Sequence, residues 1–156
     1  MREIKLTQDK VALVDDEDFE YLNQWKWHAH KDGNNYYVER IIRLPRGLKY
    51  QYVSMHRLIM NTPKGMQTDH KDHDGLNNQK SNLRICTRSQ NQMNRKAIEA
   101  TSKYKGVWYE NGKIRSAITI NKEQVYLGYF NSEKDAAIAY DIAAKKYYGE
   151  FAYLNF

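Results

Sequence analysis

The run Thr68-Asp69-His70, followed at a distance by Asn82 and Asn91, holds the residues whose types and spacing suit chemistry. His70 precedes Asn82 by 12 positions and Asn91 by 21. A carboxylate beside an imidazole, trailed by two carboxamides, supplies an oxygen ligand, a general base and two amide groups. That set fits metal-assisted hydrolysis of a phosphodiester. A hard cation such as Mg²⁺ takes oxygen ligands from one or two protein groups and keeps its other positions for water and phosphate. A neutral imidazole can then accept a proton from the attacking water.

The elements that must position these residues read as strand, loop, strand, helix. Gln67 to Lys71 predicts a first strand carrying Asp69 and His70, and Asp72 to Asn78 a polar loop. Leu83 to Cys86 predicts the second strand. Thr87-Arg88-Ser89-Gln90 has the capping-box form and opens a helix whose first turn presents Asn91. Upstream, residues 2–14 predict short strands. The acidic run Asp15-Asp16-Glu17-Asp18 suits a helix N-terminus, with Phe19, Leu22 and Trp25 at helical spacing behind it. Trp25 to His30 and Tyr36 to Arg43 predict two strands joined by a turn-rich loop; His28 and His30 share a strand face and read as structural. A turn around Pro45-Arg46-Gly47 follows. Arg40, Arg43, Arg46 and Lys49 are either contacts to a nucleic-acid backbone or exposed strand charges. Ser54 predicts the cap of a short helix reaching Met60, in which His56 braces the fold behind the site.

The central stretch resembles the HNH endonucleases, in particular the phage homing type with Asn in the third motif position. The resemblance rests on Met55-His56-Arg57-Leu58-Ile59, Thr68-Asp69-His70-Lys71-Asp72, Asp74-Gly75, Asn77-Asn78, Ser81-Asn82-Leu83-Arg84 and Ser89-Gln90-Asn91. It implies a ββα unit built around one divalent metal, Mg²⁺ or Mn²⁺, over about residues 54–97. Carried over position by position, it makes Asp69 and Asn91 metal ligands and His70 the general base, with Asn82 orienting His70 through a side-chain bond. Zinc is a rival occupant on paper, through His70, His73 and Cys86. That set lacks a fourth soft ligand and the paired cysteines of structural zinc sites.

Charge supports an anionic partner. The net charge is +6, and it is unevenly spread. Residues 1–39 hold 5 Lys and Arg against 9 Asp and Glu, residues 40–101 hold 12 against 4, and residues 102–156 hold 8 against 6. The surplus therefore lies on the segment with the candidate site, where phosphate backbones are attracted. Arg84, Arg88 and Arg95 are the expected phosphate contacts there. A single cysteine rules out an internal disulfide framework and suits a reducing cytoplasm. No apolar run approaches the roughly 18 residues of a membrane span.

Beyond a polar stretch from Lys96 to Ser102 the pattern changes. Lys105 to Tyr109, Lys113 to Ile120 and Gln124 to Phe130 predict three strands, the first two joined at Asn111-Gly112, a strong hairpin signal. Asn131-Ser132 predicts the cap of a helix from Glu133 to Tyr148 that ends at Gly149. This segment resembles the Apetala-2, or ethylene-response-factor, DNA-binding fold. The residues that carry it are Tyr104-Lys105-Gly106-Val107, Gly112-Lys113, Tyr126-Leu127-Gly128, Phe130, Ala136-Ala137, Ala139-Tyr140-Asp141, Gly149 and Ala152-Tyr153-Leu154-Asn155-Phe156. It implies a sheet face that enters the major groove, and the matching positions hold Lys105, Trp108, Lys113, Arg115, Thr119 and Tyr126. Trp108 and Tyr109 serve either as DNA contacts or as sheet packing.

The combined expectation is an α+β chain with an N-terminal β-rich extension and ββα-metal nuclease core in residues 1–100. A small three-stranded antiparallel sheet plus helix follows in residues 103–156. It would act on double-stranded DNA, nicking as a monomer or cutting both strands as a homodimer. A non-catalytic, sequence-specific DNA-binding regulator that keeps the nuclease fold is the alternative.

Overall fold

The computed structural model describes residues 1–45, 49–96 and 101–156. The chain is mixed α/β, and the described residues divide into two compact units, Met1–Arg88 and Ser89–Phe156. Arg46 lies outside the described residues, as does much of the polar stretch predicted as a domain boundary.

In the N-terminal unit, β1 (Arg2–Lys5) and β2 (Val11–Val14) form an antiparallel hairpin. Helix α1 (Asp16–Asn23) follows, with Asp16, Glu17 and Asp18 in its first turn, where carboxylates stabilise the helix dipole. It is shorter than the apolar spacing predicts, so Trp25 falls beyond its end. Trp25 and Trp27 instead turn inward, edge to face at 6.3 Å, and the Trp27 indole donates to the Leu22 carbonyl at 2.9 Å. This holds the backbone out of the sheet until β3 (His28–Asp32). Strand β3 pairs with β4 (Asn35–Ile42), which pairs with β5 (Gln51–Ser54). Arg40 of β4 stacks 3.8 Å over the Trp25 ring, so its cation covers the core instead of reaching outward. Helix α2 (Met55–Ile59) starts directly after Ser54; the Ser54 hydroxyl donates to Glu39 rather than capping the helix. Ile4, Ala12, Val14, Phe19, Leu22, Trp27, Val38 and Met55 form one buried cluster. The last pair, β6 (Gln67–His70) with β7 (Leu83–Cys86), carries the candidate residues.

Helix α3 (Arg88–Met93) starts on the last residue of the N-terminal unit, and the rest of it belongs to the C-terminal unit. Strands β8 (Val107–Glu110), β9 (Lys113–Ile120) and β10 (Glu123–Phe130) form an antiparallel sheet in the order β10-β9-β8. The first strand begins at Val107, not at Lys105. Helix α4 (Glu133–Tyr148) is capped by Ser132, whose hydroxyl accepts from the Asp135 amide at 3.1 Å. Its small residues Ala136, Ala137, Ala143 and Ala144 are buried against Val107 and Ile118. Short side chains let the helix lie close on the sheet, and Asp141 ties down the chain end by accepting from the Asn155 and Phe156 amides. No helix among the described residues is long and apolar enough to cross a membrane.

Candidate active site and nucleic-acid interface

Half-buried strands normally alternate inward and outward residues. Strand β6 does not: Thr68, Asp69 and His70 are consecutive and all buried. Burying a carboxylate costs several kcal/mol unless a charge answers it. Antiparallel register supplies one, because Asp69 stands opposite Arg84 and His70 opposite Leu83. Arg84 Nε and Nη2 donate to Asp69 Oδ2 at 2.9 and 2.6 Å. Arg84, read from sequence as a phosphate contact, is 9 % exposed and is the internal counter-ion of Asp69.

The predicted side-chain bond from Asn82 to His70 is replaced by another arrangement. Asn82 sits one residue before the partner of His70, at the mouth of the hairpin, where its carbonyl accepts from the Lys71 amide at 2.9 Å. Its carboxamide donates to Asp72 Oδ1 and to the Asn77 carbonyl, both at 2.9 Å, and accepts from the Asp72 amide at 3.1 Å. Asp72 also accepts from the Asp74 amide and the Asn77 side chain. Burial opposes ionisation of Asp72, yet these donors outweigh it and hold its carboxyl below the usual range. Asn82 thus fixes the loop that carries the chain away from His70. The ring of His70 faces Asn78 instead, Nε2 to Oδ1 at 3.4 Å.

Asn78 is fully buried and its amide donates to the Leu13 carbonyl at 2.8 Å. The Leu13 amide in turn donates to the Leu76 carbonyl, and Asp15 accepts from Gln79 and from the Lys80 amide. The N-terminal hairpin is therefore the frame on which the loop after His70 is built. The motif spacing gives Asn78 no task, and Asp15 reads from sequence only as part of an acidic helix start. The available signal was the pair Asn77-Asn78, since an Asn that bonds its own loop backbone is common in turns.

Behind the site, the rings of His56 and His70 meet edge to face at 5.1 Å, and Tyr37 lies 6.0 Å from His70 and 6.1 Å from His56. Burial pushes the His70 imidazole below its ordinary value, partly offset by the Asn78 bond and the nearby carboxylates of Asp72, Asp69 and Asp74. Burial, then the charges of His70 and Arg57, brings His56 down from 6.5 to about 3. Above pH 6.5 both folded and unfolded chains hold His56 neutral; below it only the unfolded chain takes up the proton. Stability should therefore fall as the pH drops from 6.5 towards 3, by about 1.4 kcal/mol per pH unit from this group. Urea midpoints at pH 7 and 5.5 test this, and His56→Gln should flatten the slope. A wild-type midpoint that stays level would refute it.

Gly75 lets the loop reach these rings. A Cβ placed there would lie 2.3 Å from the Tyr36 carbonyl oxygen and 2.7 Å from the Tyr37 ring. Gly75→Ala should displace Tyr37 from His70 and lower stability by about 1–3 kcal/mol, as overpacking does. Thermal unfolding measures this, and an unshifted midpoint would mean that the approach is not tight.

The C-terminal unit distributes its expected DNA contacts unequally. Trp108, Lys113, Arg115, Thr119 and Tyr126 share one sheet face, by strand alternation and by the pairs Trp108 with Arg115 and Tyr126 with Ala117. Tyr109 pairs with Ile114 and belongs to the opposite face. Lys105 lies before the sheet begins, and its ammonium donates to the Met93 and Arg95 carbonyls at 2.6 and 2.7 Å. It tethers the end of α3, and burial brings its pKa from 10.5 to about 8. Arg88 and Arg95 are exposed, and Asn91 is half-buried on α3. Among the described residues no three His, Cys, Asp or Glu side chains converge to hold a metal. A Mg²⁺ site needs no such cluster, because water and phosphate complete its shell.

Comparison with known proteins bears on both units. The family model described as HNH endonuclease matches residues 61–93, the stretch that holds Asp69, His70, Asn82 and Asn91. The chain is 28 % identical to a protein of Acanthamoeba polyphaga mimivirus described as an uncharacterized HNH endonuclease, L560, across 92 % of this chain and 74 % of that one. It is 44 % identical over 57 residues, 36 % of its length, to the Arabidopsis thaliana AP2/ERF and B3 domain-containing transcription repressor TEM1. It is 48 % identical over 40 residues to the Arabidopsis ethylene-responsive transcription factor-like protein At4g13040. These stretches cover only 16 % and 18 % of the two plant proteins.

Proposed function

We propose that this chain is a divalent-metal-dependent DNA endonuclease of the HNH homing type. The observation that carries the reading is the buried Asp69–His70 pair on β6, within the residues that match the HNH endonuclease family. By the resemblance to that family, Asp69 and Asn91 would hold the metal and His70 would serve as the general base. The donor set fits one Mg²⁺ or Mn²⁺: a carboxylate and a carboxamide are hard oxygen ligands, and one formal charge leaves the ion's remaining affinity for phosphate. Arg84 Nε and Nη2 donate to Asp69 Oδ2 and help to orient the carboxylate. Bound there, the cation would supply Lewis-acid stabilisation of the leaving 3′ oxygen.

The protein's own groups do the rest. The His70 imidazole, kept neutral by burial, accepts the proton of the attacking water. Asn78 restrains the ring, while Asn82 and Asp72 hold the loop that leaves it. The products are a 5′ phosphate and a 3′ hydroxyl, and one such site in a monomer nicks one strand. Exposed Arg88 and Arg95 take backbone phosphates. The C-terminal unit, an Apetala-2-like DNA-binding domain, presents Trp108, Lys113, Arg115, Thr119 and Tyr126 to double-stranded DNA.

Incubating supercoiled plasmid with the protein in Mg²⁺ and in EDTA tests the reading. Relaxation in Mg²⁺ alone supports it; equal relaxation in EDTA removes the metal. The likeness to plant transcription factors favours one second reading, a DNA-binding regulator, and duplex binding with no nicking in Mg²⁺ or Mn²⁺ would establish that instead.

A further inference from the structure

Helix α3 carries Asn91, yet little within the helix holds it in place. It has six residues, none of them buried, and no basic residue in its last turn. A helix this short is marginal by itself, and its last carbonyls need donors from elsewhere. Two groups of the C-terminal unit supply them. The Lys105 ammonium donates to the Met93 and Arg95 carbonyls at 2.6 and 2.7 Å, and the Tyr153 amide donates to the Met93 carbonyl at 3.4 Å. A cation at this end also meets the negative pole of the helix dipole.

Lys105 is itself anchored to the core. Its amide donates to the Asn155 side chain at 2.8 Å, and that carboxamide donates back to the Lys105 carbonyl at 3.2 Å and on to Asp141 at 2.9 Å. Asp141 is buried on α4. The neighbouring Gly106 lets the segment lie on the same helix, since a Cβ there would stand 2.0 Å from the Tyr140 ring. Bonds therefore run from α4 through Asn155 and Lys105 to the end of α3. Lysine side chains ordinarily carry their ammonium out to water. This one is directed at two carbonyls, and burial lowers its pKa to about 8.

A metal ligand must stand within about 0.5 Å of its productive place, so whatever fixes the helix fixes the affinity for the ion. We propose that Lys105 is a positioning residue for the metal site: it clamps the end of α3 to the C-terminal unit and so sets where Asn91 stands. The inference rests on reading Asn91 as a metal ligand. It makes the C-terminal unit a working part of the nuclease and not only a module that finds DNA.

Mn²⁺ binding to the full chain, without DNA, is read by electron paramagnetic resonance, and amide hydrogen exchange by NMR. Charge alone predicts that removing a cation leaves Mn²⁺ affinity unchanged or tightens it. The clamp predicts the opposite sign. Lys105→Met should weaken Mn²⁺ binding about tenfold, as loss of a group that orients a ligand does. It should also speed exchange at the Asn94 and Arg95 amides, which close the last turn on Gln90 and Gln92, while β8–β10 stay protected. Lys105→Gln, milder on the fold, should show both changes at reduced size, and Lys105→Arg, which keeps the donors, should restore most of the affinity. Lys146→Met removes the same charge from the exposed side of α4 and should alter neither readout. If Asn91→Ala loses the ion while Lys105→Met binds it as wild type does, the clamp is overturned and the metal reading stands. If Asn91→Ala binds Mn²⁺ as tightly as wild type, both the ligand assignment and the clamp fall.

Discussion

His70→Ala is expected to slow plasmid nicking by roughly 10²–10⁴-fold, the usual contribution of a positioned general base, while duplex affinity stays within about twofold. The asymmetry follows from where the ring sits. His70 is 6 % exposed and its imidazole is held neutral by burial, so it offers no charge to a phosphate backbone. What it offers is a lone pair beside Asp69. Removing a buried ring also leaves a void against His56 and Tyr37, so His70→Gln serves as a partner variant that retains more volume. Both should lose nicking and keep binding, as read by gel shift on the same plasmid fragment. Nicking that survives in both would take His70 out of the chemistry.

Arg84→Met is expected to reduce unfolding free energy by about 3–5 kcal/mol, because it strands a buried carboxylate without its counter-charge. Arg84 and Asp69 form the cross-strand pair that makes the β6–β7 hairpin tolerable with both residues under 10 % exposed. Asp69→Asn in the same chain should recover much of the loss, since the uncompensated charge is then gone. The alternative role, a phosphate contact, predicts the reverse signature: unchanged urea midpoints and a shallower salt dependence of DNA binding. Urea unfolding of the single and double variants separates the two roles. Equal destabilisation in the single and the double variant would refute the ion-pair account.

Much of the architecture could be read from residue order. Asn111-Gly112 between alternating strands announced the β8–β9 hairpin, and Ser132 with Gly149 bracketed α4. The motif spacing put Asp69 and His70 on one strand and Asn91 on the following helix, where the elements occur. Register was not legible, and the errors trace to it. Nothing in the sequence says that Asp69 faces Arg84 rather than Ile85, and a slip of one residue would have sent Arg84 to solvent. The same gap misassigned Asn82, whose place beyond the partner of His70 turns its amide onto Asp72 and Asn77. Lys105 failed for another reason. A lysine beside a strand reads as a surface cation, and its capture by two carbonyls near the end of α3 depends on how the chain folds back within the unit. Trp25 and Trp27 obeyed helical and strand spacing on paper but closed the core instead.

The end chemistry of the nicks tests the account's centre most directly. Plasmid relaxed by the wild-type protein in Mg²⁺ is treated with DNA ligase after the protein is removed. In-line attack by water activated at His70 leaves a 3′ hydroxyl beside a 5′ phosphate, and the account predicts that ligase alone reseals every nick. Nicks that ligase cannot close until a 3′ phosphate is removed would contradict it.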